Sequence, residues 1–156
     1  MALFDKLFQK KEANTEESGQ LVKEDFYVAG SNYYSANIKK LACANEEWKK
    51  SGKKLAAEGR VMEKIFRYTY INKPVKLIPE AKNPHDKNAV AVYIAGELVG
   101  YIPAEDALHV RQVLSSKKIK YISSFIGGGD YKVVSEDGTV EKMDGNVRIN
   151  VRIAYA

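Results

Sequence analysis

Within six positions, Asn83-Pro84-His85-Asp86-Lys87-Asn88 brings together a carboxylate, an imidazole, a cation and two side-chain amides. Pro84 fixes its own φ and holds Asn83 extended, while Asp86 and Asn88 can accept hydrogen bonds from nearby backbone donors. The segment is therefore a sharp loop, with polar side chains held above the apolar strand that starts at Ala89. Two uses are open to it: an Asx-type turn that only organises its own backbone, or a platform for a polar ligand.

A second candidate is Phe66-Arg67-Tyr68-Thr69-Tyr70, where cations and aromatic rings alternate in a chain that holds ten tyrosines. Aromatic faces beside cations suit single-stranded nucleic acid, because bases stack while phosphates are neutralised. The same alternation also describes an ordinary strand with Phe66, Tyr68 and Tyr70 facing the core and Arg67 and Thr69 facing water. The net charge of +5 and the pI of about 9.1 permit an anionic partner without requiring one. Lys49, Lys50, Lys53 and Lys54 read as a solvated face.

Other chemistries find no support. The only histidines are His85 and His109, no pair of carboxylates has a clear scaffold, and His109 is expected at a helix surface. Gly127-Gly128-Gly129 follows a strand but lacks the Lys-Ser/Thr pair and the helix of a phosphate loop, so it reads as a bulge or corner. A phosphoesterase would need an activated nucleophile or a metal, and neither is supplied. No catalytic residue, metal site or cofactor is assigned, and the expectation is a non-enzymatic protein. The lone Cys43, placed in an apparent helix, excludes an internal disulfide and a cysteine-based zinc cage. Together with the absence of a secretory signal or a bilayer-length apolar run, it fits a reducing cytoplasm.

At 156 residues and 45% hydrophobic composition, the chain is expected to bury one core. Residues 1–22 read as a short amphipathic helix, with Leu3, Phe4, Leu7 and Phe8 on one face, followed by a polar flexible linker. That helix is expected to dock on protein and not on a membrane, being too short to anchor alone. Residues 23–156 form the domain. A first strand at Asp25 to Gly30 precedes a helix over Ile38 to Asn45, capped by Ser35, and a second helical piece over Glu46 to Leu55, broken by Gly52 and stopped near Gly59. Strands follow at Lys64 to Ile71 and Val75 to Pro79. Ala89 to Ile94 and Leu98 to Ile102 form a hairpin through Ala95-Gly96-Glu97, and Pro103 opens a helix running to about Ser115. The last third is expected to be a meander of four strands with hairpin turns at Asp137-Gly138 and Asp144-Gly145. With two or three helices, these strands read as an α+β domain on a small, partly open β-barrel.

The pattern L-x-P-E-x-x-NPHDKNAVAVYIAGELVGYIPAEDAxxV, spanning Leu77 to Val110, resembles the HIRAN domain, which joins an NP-aromatic-D loop, an apolar strand and a G-Y-[IV]-P turn into a helix. Val28-Ala29-Gly30 with Tyr33 and Tyr34 is similar to the family's first strand and the aromatic positions beyond it, and Ala36 to Met62 is longer than the family core. The resemblance implies an OB- or SH3-like barrel that captures the 3′ end of single-stranded DNA, in DNA repair or mobile-element processes. It implies Asp86 as acceptor for the free 3′-hydroxyl, Tyr33 or Tyr34 as an aromatic wall, and Tyr101 in the turn. His85 stands where the family often has Tyr and stacks over a smaller face. Pro103-Ala104 replaces basic residues, a loss that Lys82 and Lys87 are placed to offset. The alternative is a protein-interaction adaptor that keeps the barrel without binding DNA and uses the N-terminal helix as its handle.

Overall fold

The computed structural model describes residues 20–156, so the amphipathic segment expected at the N-terminus lies outside the described residues. Eleven strands run through these residues. They are β1 (Val22–Tyr27), β2 (Ala42–Ala44), β3 (Ile65–Phe66), β4 (Tyr68–Tyr70), β5 (Val75–Pro79), β6 (Val90–Ile94), β7 (Glu97–Tyr101), β8 (Ile119–Gly128), β9 (Tyr131–Val134), β10 (Val140–Met143) and β11 (Val147–Tyr155). A 3-10 turn at Ser31–Tyr34 leads into helix α1 (Ser35–Leu41); α2 (Glu46–Lys49), α3 (Gly52–Ala57) and α4 (Ala104–Ser116) follow. The fold is mixed α+β and dominated by strands. Their ladders are antiparallel and fall into four sheets, β1-β11-β8, β10-β9-β3, β2-β4 and β5-β6-β7, which do not join into a closed barrel.

Sequence periodicity explains the main layer. β11 alternates Ile149, Val151 and Ile153 inward with Arg148, Asn150 and Arg152 outward, so one face meets the core and the other meets water. β6 is apolar along its length and sits between β5 and β7, with Val90 and Val92 fully buried. Buried side chains of this size each stabilise by roughly 1.5–3 kcal/mol relative to exposure. α4 closes the core with Ala107 and Val110, and His109 lies exposed with Nε2 2.9 Å from Glu24 Oε2, at the surface as expected. A second, smaller cluster of Leu55, Ile65 and Val134 stands beside the large one, where composition suggested a single core.

Three local departures have physical causes. The β6–β7 turn holds two residues, Ala95 and Gly96, because Glu97 already pairs with Ile94; their φ values of 49° and 81° match the twist of the flanking strands. Cys43 is in a strand and not a helix: α1 ends at Leu41, Ala42 turns extended, and β2 pairs with β4 so that Cys43 faces Thr69. Gly52 starts α3 and does not break a helix; the break falls at Lys50-Ser51, and Ser51 Oγ accepts from the Lys54 N–H at 3.2 Å. A Cβ at Gly52 would come within 2.0 Å of the Gly138 carbonyl oxygen, so only glycine lets α3 dock on the β9–β10 turn.

The expected C-terminal meander is the largest correction. Asp137-Gly138 does join paired strands, β9 and β10, but Asp144-Gly145 joins strands of different sheets. β10 is exposed throughout and pairs only with β9, whereas the apolar face of β11 carries it to the larger core between β1 and β8. The triple glycine is the corner that makes this possible: Gly128 and Gly129 both have positive φ, and Gly129 N–H donates to the Asn146 carbonyl at 3.0 Å.

Candidate nucleic-acid interface

The Asn83 to Asn88 loop is fixed by its own side chains. Asn83 Oδ1 accepts from the backbone N–H groups of His85 (2.9 Å) and Asp86 (3.1 Å), and Asp86 Oδ1 accepts from the Asn88 N–H (2.8 Å). Backbone bonds close its ends, from Glu80 N–H to the Ala89 carbonyl at 2.8 Å and from Ala89 N–H to the Asp86 carbonyl at 3.0 Å. The Asx turn anticipated from sequence is therefore present. Arg111, on α4, donates to the Lys87 carbonyl and ties the loop to the helix behind it.

Asn83 also reaches outward. Its Nδ2 donates to Glu80 Oε1 at 3.0 Å, and the Glu80 carboxylate faces the hydroxyl of Tyr101 at the end of β7. The Tyr101 ring lies 6.3 Å from that of Tyr34, tilted by 51°. Burial, with Glu80 and then Tyr34 adding to it, pushes the Tyr101 hydroxyl far above the ordinary tyrosine pKa, so it stays protonated and can donate. A continuous set of contacts thus runs from the 3-10 turn through Tyr34, Tyr101, Glu80 and Asn83 to the backbone of His85 and Asp86.

The anchor for this set is the meeting of two chain segments. Ala29 and Tyr101 exchange both backbone hydrogen bonds, at 2.8 and 3.0 Å, which pins the approach to the 3-10 turn against the end of β7. Gly100 has φ of 149°, and a Cβ there would sit 2.5 Å from the Ala29 carbonyl oxygen. No other residue type permits that approach.

Each sequence-derived site residue can now be placed. Tyr33 is 84% exposed, with its ring in solvent, and Tyr34 and Tyr101 are half-buried as a pair. His85, Lys82 and Lys87 are exposed on the loop, and Asp86 is half-buried within it. Neither lysine takes part in an ion pair among the described residues. Glu80 and the Asn83 amide nitrogen, which are not among those site residues, join the aromatic pair to the loop. Residue type was the available signal, since a Glu one turn before an Asx-forming Asn is suited to accept from its amide. Among the described residues, no group of three His, Cys, Asp or Glu side chains is placed to hold a metal ion.

The arrangement offers an exposed ring, an imidazole, two unpaired cations and a carboxylate oriented by a rigid turn. A family model described as HIRAN domain matches residues 23–151. No curated protein and no solved structure matches the chain.

Proposed function

Since this chain belongs to the HIRAN domain family, we propose that it is a non-enzymatic binder of single-stranded DNA that grips the strand at its 3′ end. The family is generally one of single-stranded DNA binding. The observation that carries the reading is the set of contacts from Tyr34 through Tyr101, Glu80 and Asn83, which puts an aromatic pair and a rigid loop with an oriented carboxylate into one unit. In this reading Tyr33 and His85 stack on terminal bases, Lys82 and Lys87 neutralise phosphates, and Asp86 accepts from the 3′-hydroxyl. The turn and the ligand do not compete for Asp86. A carboxylate has about four lone-pair sites, and the Asn88 N–H occupies one of them on Oδ1. The process served is DNA repair or the movement of mobile elements.

Fluorescence anisotropy with labelled oligonucleotides at several salt concentrations tests the reading. Affinity is expected to fall with salt at a slope of about −0.7 per phosphate neutralised, and Lys82→Ala with Lys87→Ala is expected to shallow it by about 0.7 each. An adaptor function is the second reading, favoured by the outer face of β1-β11-β8, where Tyr27 and Phe125 are 56% and 63% exposed. Undetectable DNA binding at low salt would move the assignment there.

A further inference from the structure

The 3-10 turn that carries Tyr33 and Tyr34 has a second use for its first half. Ser31 and Asn32 line a cleft of about 610 Å³ whose other walls include α1, the Arg67 to Tyr70 segment and the glycine corner, and which the Asn83 to Asn88 loop does not line. Two exposed cations, Lys39 and Arg67, line it, and neither is in an ion pair among the described residues. The Arg67 guanidinium lies 5.4 Å over the ring of Tyr68, which also lines the cleft.

Arg67 is held there by the topology. The run from Ile65 to Tyr70 changes sheets at this one residue: β3 pairs with β9, β4 pairs with β2, and Arg67 belongs to neither ladder. Its N–H donates to the Asp130 carbonyl at 2.9 Å and its carbonyl accepts from Asn45 at 3.3 Å, so the backbone is fixed while the side chain is left to the cleft. Asp130 contributes one carboxylate to the lining, and its Oδ1 accepts from the Gly145 N–H at 3.3 Å. That carboxylate disfavours a phosphate beside it, and Lys39 and Arg67 are the cations of the lining that can take a sugar-phosphate backbone.

We propose that this cleft is a second subsite for single-stranded DNA, taking nucleotides upstream of the end held at the Asn83 to Asn88 loop. Lys39 and Arg67 neutralise backbone phosphates, and the stacked Arg67–Tyr68 pair presents a face to a base. The subsite rests on the single-strand reading above and extends it: the 3-10 turn is the shared wall, with Tyr33 and Tyr34 belonging to the end site and Ser31 and Asn32 to the cleft.

The test uses the full chain and two 3′-hydroxyl probes, a trinucleotide and a strand of about twelve nucleotides, within the site sizes seen on small barrels. The variant is Lys39→Gln with Arg67→Gln, checked by its melting curve, and Asp86→Asn is the reference for the end site. The double variant is expected to weaken the long strand about fivefold to tenfold and to shallow its salt slope by about 1.4, for two phosphates at about 0.7 each, with the trinucleotide unaffected. If long-strand affinity and slope stay unchanged, or if both probes weaken equally, the cleft is not an upstream subsite, while the response of the trinucleotide to Asp86→Asn still decides the end site. If the unaltered protein binds neither probe, the single-strand reading fails and takes this proposal with it.

Discussion

Asn83 shows how one amide serves two ends of a site, with its oxygen holding the loop and its nitrogen holding Glu80. The sequence made the loop legible because Asn, Pro and Asp each act on their own neighbours, whereas the partnership of Tyr101 with Glu80 and Tyr34 depends on strands folding beside one another. That partnership has a pH signature. The folded Tyr101 pKa lies above its ordinary value of 10.0, so its contribution to stability is whole below that pH and is lost as pH rises through the window above it. Tyr70 and Tyr155 are raised in the same direction, the first by burial and the strand neighbour Tyr68, the second by burial and Glu24. Tyr101→Phe is expected to make the fall in melting temperature above about pH 10 shallower without abolishing it. Parallel curves for the two proteins would show that Tyr101 titrates normally.

At the scale of elements, the decisive contact is the one between the segment that follows β1 and the end of β7. Gly100→Ala would drive a Cβ against the Ala29 carbonyl oxygen and the Val28 side chain at a positive φ. Strain of that kind costs on the order of 1–3 kcal/mol, and a chain of this size loses roughly 2–4 °C of melting temperature per kcal/mol. The variant is expected to melt several degrees lower and to bind oligonucleotides more weakly, because Tyr34 no longer meets Tyr101 in place. An unchanged melting curve would show that the two segments separate without cost. Elements defined by local pattern were legible: β5, the β6–β7 hairpin and α4 fall within a residue or so of their expected limits. Elements defined by partners were not. The Asp144-Gly145 pair signals a turn in either topology, and only the burial of Ile149, Val151 and Ile153 against the larger core sends β11 to another sheet. Lys132 was equally invisible: it is 5% exposed, and its Nζ donates to the carbonyls of Trp48 and Lys50 at 2.6 and 2.8 Å, so the α2–α3 segment is tied to β9.

For the whole molecule, the larger core draws its buried members from Phe26 to Tyr155. Deleting residues 1–19 is therefore expected to leave the melting temperature unchanged, as a thermal scan of the two proteins would show; a large drop would place part of the core in the deleted segment. No helix among the described residues is long and apolar enough to cross a membrane. The claim that unites the rest is capture of a 3′-hydroxyl end, and competition between 3′-hydroxyl and 3′-phosphate strands tests it most directly. A carboxylate accepts from the hydroxyl and repels the phosphate, and a hydrogen bond to a charged group contributes roughly 1.5–3 kcal/mol, so the hydroxyl strand is expected to bind about tenfold or more tightly. Asp86→Asn keeps an acceptor for the Asn88 N–H and removes the charge, so it is expected to preserve the melting temperature and narrow that preference. Equal affinity of the unaltered protein for both strands would contradict the account.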